Sequence, residues 1–179
     1  IFNGTGSDVN LSDYEMWKIA NGGSWPEYSL SLSGTLTAGQ VYVIYNGGTA
    51  SSPTDGTIVT AGDLIWTQAN YNGDDAIGLA KSISGTMTLI DAVGTDGADP
   101  GSGWNVAGVN NATKDHTLVR KSSVTGPNAN WTASAGTNTT DSEWEVLAKD
   151  DWTNIGLHSS VLPITYAWDH SVTNGTAFT

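Results

Sequence analysis

Acidic side chains are the residues in this sequence best spaced to do chemistry. Asp74-Asp75 stands in a glycine-containing turn, and Asp96-Gly-Ala-Asp99-Pro-Gly lies in a long loop. Closely spaced carboxylates and carbonyls in such loops suit Ca²⁺, which takes about six to eight oxygen ligands. The spacing departs from the EF-hand pattern. The competing reading is that each aspartate caps its own turn through an Asx hydrogen bond. Asp8, Asp13, Asp150 and Asp151 are weaker candidates. Calcium bound here would be structural, and the sequence requires no cofactor.

Nothing in the sequence assembles a nucleophile. The histidines are His116, His158 and His170, and Gly-x-Ser-x-Gly does not occur. Zinc lacks ligands, because there is no cysteine and no histidine pair at ligand spacing. Glu143 and Glu145 share one face of a strand, whereas glycosidases set two carboxylates across a cleft. The expectation is that the chain is not an enzyme.

Eight tryptophans against two phenylalanines leave two readings. Exposed rings stack on sugars, and Trp25 beside Pro26 is the best candidate for exposure. Buried rings are the bulk filler of a core poor in phenylalanine. Asn3, Asn10, Asn111, Asn130, Asn138 and Asn174 each begin an Asn-x-Ser/Thr sequon, so each is a candidate glycosylation site.

Composition bounds the partners. The 179 residues suit one domain of ordinary size. Six basic against eighteen acidic side chains give a net charge of −12, and the one basic cluster is Arg120-Lys121 with Lys114 nearby. Nucleic acid is therefore not expected as a primary partner. No apolar run is long enough for a helical membrane span. Zero cysteine excludes a disulfide framework and is compatible with an extracellular or cell-surface life. The chain opens on Ile1-Phe2-Asn3 and reads as a mature or excised piece.

The elements that must position these residues read as strands. Tyr14 to Ala20 alternates, with Trp17 and Ile19 on one face and Tyr14, Met16 and Lys18 on the other. Tyr28 to Leu32 alternates strictly. Val41 to Tyr45 is continuously apolar and predicts a strand covered on both faces. Ala76–Ala80 and Thr86–Ile90 flank Ser84-Gly85 as a hairpin. His116 to Arg120 is a short strand, and Ile164, Tyr166 and Trp168 form one face of a last one. A helical turn is expected between Thr57 and Trp66, with Asp63 as its cap. Asn46 to Gly56, Thr95 to Asp115 and Ser122 to Asp141 are long polar loops, the last pinned to the body by Trp131.

Several segments taken together resemble the bacterial lamin tail domain family. They begin with Ile1-Phe-Asn-Gly-Thr-Gly-Ser-Asp-Val-Asn-Leu-Ser-Asp-Tyr14 and Leu36-Thr-Ala-Gly-Gln-Val-Tyr-Val-Ile44. Asn72-Gly-Asp-Asp-Ala-Ile77, Ile90-Asp-Ala-Val-Gly94 and Asp99-Pro-Gly-Ser-Gly-Trp104 follow. His116-Thr-Leu-Val-Arg120, Ser142-Glu-Trp144 and Ile155-Gly-Leu-His158 complete the ordered set. The resemblance implies an all-β fold, an immunoglobulin-like β-sandwich with long polar loops, over residues 1–159. It implies a non-catalytic module of secreted and surface proteins. Members of that family begin with a strand that is missing here, while residues 160–179 carry a spare one. This combination predicts an added or exchanged strand, with copies of the same chain or another extracellular protein as partner. The leading expectation is an extracellular structural or adhesive module, a filament subunit assembling by strand exchange. The alternatives are an accessory domain of a secreted nuclease-like hydrolase and a carbohydrate-binding module with a glycan partner.

Overall fold

The computed structural model describes residues 1–158. The C-terminal extension, with Ile164, Tyr166, Trp168, His170 and Asn174, lies outside the described residues. In chain order the strands begin with β1 (Val9–Asn10), β2 (Tyr14–Ile19), β3 (Tyr28–Ser31), β4 (Thr35–Leu36) and β5 (Ile44–Tyr45). They continue with β6 (Gly48–Thr49), β7 (Ser52–Pro53), β8 (Leu64–Ile65), β9 (Ala76–Ile83) and β10 (Thr86–Val93), then β11 (Thr117–Arg120) and β12 (Trp144–Leu147). Among the described residues the helices are short: α1 (Gly56–Ala61), α2 (Trp131–Ala135) and a single 3-10 turn at Leu11–Asp13. The fold is mostly β, with several small antiparallel sheets.

The central sheet has the order β10-β9-β2-β3 and is antiparallel throughout. Its longest hairpin turns on Ser84 and Gly85, whose φ values are 53° and 83°. Positive φ at both central residues gives the two-residue turn whose twist matches the strands. Between Leu89 and Asp91 the register slips, with Leu89 opposite Ala80 and Asp91 opposite Leu79. The bulge inserts Ile90 and so turns Asp91 onto the face that carries Leu79. A second pair, β11-β12, and a parallel pair, β5-β8, stand outside this sheet.

Both faces of the central sheet are apolar. On one, Trp17, Ile19, Ala76 and Ala80 are buried. Gly78 lies opposite Trp17 on this face, and a Cβ there would run into Leu89 and sit 3.3 Å from the Trp25 ring. Trp25 is thus half-buried over Gly78 rather than exposed. The other face carries Met16, Ile77 and Leu79, which are only half-buried.

The core falls into two clusters. One holds Val106, Ala112, Trp131, Ala135 and Trp144, with Val93, Trp104, Leu118 and Val146 packed against it. Trp131 lies at the centre of its three rings, 6.5 Å from Trp104 and 6.3 Å from Trp144, in the edge-on and tilted arrangements aromatic quadrupoles favour. The loop from Ser122 to Asp141 is therefore pinned by Trp131, as expected. Gly94 permits the approach of Trp104: its φ is 84°, and a Cβ would stand 2.8 Å from that ring. The second cluster is Leu11, Leu32 and Leu36, with Ile1, Tyr14, Met16 and Tyr42 around it.

Three local expectations are corrected. The helical turn is α1, and its cap is Asp55, which accepts from the Thr57 N–H at 2.7 Å. Asp63 instead accepts from the Val43 N–H at 2.7 Å. That bond breaks up the continuous strand expected over Val41 to Tyr45. Only Ile44–Tyr45 is strand, and Val41 makes an isolated bridge to Phe2. Asn46 to Gly56 is not a plain loop either, since it contains the β6-β7 hairpin.

Candidate functional site

Between the two core clusters lies an apolar groove of about 480 Å³. Its floor is the half-buried face of the central sheet: Tyr14 and Met16 of β2, Ile77 and Leu79 of β9. One wall comes from Ile1, Phe2, Leu11 and Leu36. The opposite wall is Val93 and Trp144, with the Val124–Pro127 segment alongside.

The N-terminal segment is held by strand-like bonds. The Ile1 amino group donates to the Tyr42 carbonyl at 2.8 Å, and the Tyr42 N–H returns to the Ile1 carbonyl at 2.7 Å. The Asn3 N–H donates to the Gln40 carbonyl at 2.9 Å. His158 also lines the groove and packs edge-on against Phe2, with centroids 4.7 Å apart. Burial first, and then the Arg120 charge, hold the His158 imidazole below its ordinary value of 6.5.

Arg120 closes the polar end. Its guanidinium reaches Asp91 and Glu143, each at 2.6 Å, and lies 4.1 Å over the Trp144 ring. Asn128 donates to Glu143 at 2.8 Å and, through its backbone, to Asp91 at 3.2 Å. The bulge that turns Asp91 inward makes this network possible. Arg120 is thus neutralised and largely buried, and is not part of a basic patch. Glu143 is engaged here while Glu145 is exposed on β12, so the pair does not face a common cleft.

The four candidate calcium ligands differ in exposure. Asp74 and Asp75 are buried just before β9, whereas Asp96 and Asp99 are exposed. Asp99 accepts from the Gly101 N–H at 2.6 Å, the Asx turn of the competing reading, and Asp96 accepts from the Thr95 hydroxyl at 3.1 Å. Among the described residues no group of three or more histidine, aspartate or glutamate side chains is gathered as a metal site would need.

Asp75 has a different partner, which sequence reasoning missed. It pairs with Lys18 at 3.1 Å, and the two side chains are 5% and 3% exposed. The Lys18 ammonium also donates to the Asn70 side-chain oxygen at 2.6 Å and lies 5.4 Å from the centre of the Tyr71 ring. Alternation in β2 had placed Lys18 beside Met16, and a lysine on an apolar strand face was the available signal.

Glycosylation candidates also divide. Asn3 is buried, and its amide nitrogen donates to the Ser7 and Leu36 carbonyls at 2.9 and 2.8 Å. Glycosylation there would replace one of the two amide hydrogens these bonds use and would bring a sugar to a buried nitrogen, so the fold disfavours Asn3. Asn10, Asn111, Asn130 and Asn138 are exposed. Of these, Asn10 and Asn130 use their side-chain oxygens as helix caps. Among the described residues no tryptophan is exposed, which leaves sugar stacking without a fully open ring.

Comparisons with protein-family models, curated proteins and solved structures give no match to this chain.

Proposed function

We propose that the chain is a non-catalytic extracellular structural or adhesive module. In this reading it is an immunoglobulin-like sandwich of lamin-tail type that forms filaments by strand exchange. The groove between the two clusters carries the reading. Its floor is an apolar sheet face left half-buried in an otherwise well-packed body. Its occupant is the strand formed by Ile164, Tyr166 and Trp168 of a second copy.

Three features support that occupant. His158 lines the groove. Alternating apolar residues follow within a few positions. The intervening segment 159–163 can reach about 17 Å when extended, enough to leave its own body. Each side chain of this type gains about 1.5–3 kcal/mol when fully buried. A head-to-tail contact of this kind repeats without closing and so produces a fibre.

Electron microscopy and sedimentation of the full chain test the reading. Fibres are expected, and both Tyr166→Arg and deletion of 164–179 should leave folded monomers. Fibres that survive either change contradict it.

A further inference from the structure

The Lys18 cluster is independent of the groove and carries a different inference. Lys18 lies on β2 and Asn70 precedes β9, 52 positions along the chain. The Lys18 side chain is 3% exposed, and its nitrogen contacts the Asn70 carbonyl oxygen at 2.6 Å and the Asp75 carboxylate at 3.1 Å. An amine, an amide carbonyl and a carboxylate that can carry protons are therefore within one contact shell. We propose that Lys18 and Asn70 condense to an isopeptide bond, with Asp75 as the proton carrier.

The step balances without any co-reactant. Lys18 gives a proton to Asp75, and the freed Nζ lone pair attacks the Asn70 carbonyl carbon. That carbon is one C=O bond, about 1.23 Å, beyond the oxygen already in contact. The carbonyl π pair moves to Oδ1. Asp75 passes the proton to Nδ2, the carbonyl re-forms, and the Cγ–Nδ2 bond breaks. One C–N bond forms and one is lost, the second Nζ proton leaves with the amide nitrogen, and ammonium is released. Nothing is oxidised or reduced.

Three features favour this outcome. The reacting groups are held together by the fold, which replaces an encounter in solution with a local rearrangement. Asn70 is at the surface, so the ammonia has a way out, while the attacking nitrogen is shielded from water. Asn70 rather than Asp75 is the acceptor, because an amide carbonyl is electrophilic and an ionised carboxylate is not. The bond would tie β2 to the segment preceding β9 in a chain with no cysteine.

Intact-mass spectrometry of the purified full chain, followed by peptide mapping, tests this. The expected result is a mass lower by one ammonia, a branched peptide joining Lys18 to Asn70, and no tryptic cleavage after Lys18. Asn70→Ala, at an exposed position, should fold and restore both the full mass for its sequence and the cleavage. Asp75→Asn should slow the bond's appearance after refolding. An unshifted mass overturns the proposal. So does the same mass loss with Lys18 still cleavable, which would indicate a succinimide at an Asn-Gly pair such as Asn72-Gly73. Loss of water, with Lys18 joined to Asp75, overturns it too.

Discussion

Trp131 and Met16 both point into apolar interiors, yet Trp131 is 4% exposed whereas Met16 is only half-buried. The difference lies in what surrounds each. Around Trp131 the cluster is closed by two further indoles, by the Trp144 N–H donating to the Ser134 hydroxyl at 2.8 Å, and by Arg120 across the Trp144 face. Around Met16 the leucine cluster stops at a groove. One end of the molecule completes its core with its own residues, and the other leaves an apolar sheet face half-buried along the groove. Closure here depends on bulk: large rings span the gap between small strand pairs, and short aliphatic side chains do not.

The largest test of this contrast is Trp131→Ala. Removing the central ring should cost about 3–5 kcal/mol in urea unfolding, because the rigid partners cannot collapse into the space. A loss below about 1 kcal/mol would mean that this cluster is as loose as the other.

Arg120→Leu comes next, at about 2–3 kcal/mol by the same measurement. It leaves Asp91 and Glu143 without their cation in a partly shielded site. The loss should shrink on adding Asp91→Asn and Glu143→Gln, since the residual cost is that of unpaired carboxylates.

Met16→Ala should cost about 1 kcal/mol or less in the monomer, where its side chain already borders open space. In assembled material the same substitution should cost more, and that inequality sharpens the contrast between the two clusters.

The smallest expected effect is electrostatic. The His158 value is depressed on folding, so its contribution is present above 6.5 and is lost as pH falls through the depressed value. Proton NMR of the Phe2 ring should show the Phe2–His158 contact loosening on acidification. His158→Phe should remove that dependence.

Much of the local structure was legible because its causes are local. Ser84-Gly85 fixes a hairpin by its own backbone preferences, and Trp131 announces an anchor in an otherwise polar stretch. The misses have distant causes. Val41 to Tyr45 has the composition of a continuous strand, but a carboxylate from Asp63 takes the Val43 N–H. The pairing of Asp75 with Lys18 stayed hidden because the spacing of the aspartates gives no hint of a lysine on a neighbouring strand. Asn3 fits a sequon, but its amide nitrogen is committed to two backbone carbonyls. The groove has no signature in the local pattern, since its floor reads like any covered strand.

The absence of cysteine makes one measurement especially direct. Leu79→Cys, on the groove floor, and Tyr166→Cys, in the proposed donor segment, are prepared as separate full-length chains, mixed under assembly conditions and oxidised. The account predicts a disulfide between unlike chains, and covalent ladders when both substitutions occupy one chain. A monomer with an internal disulfide in the doubly substituted chain, or no cross-link at all, would contradict strand exchange through the groove.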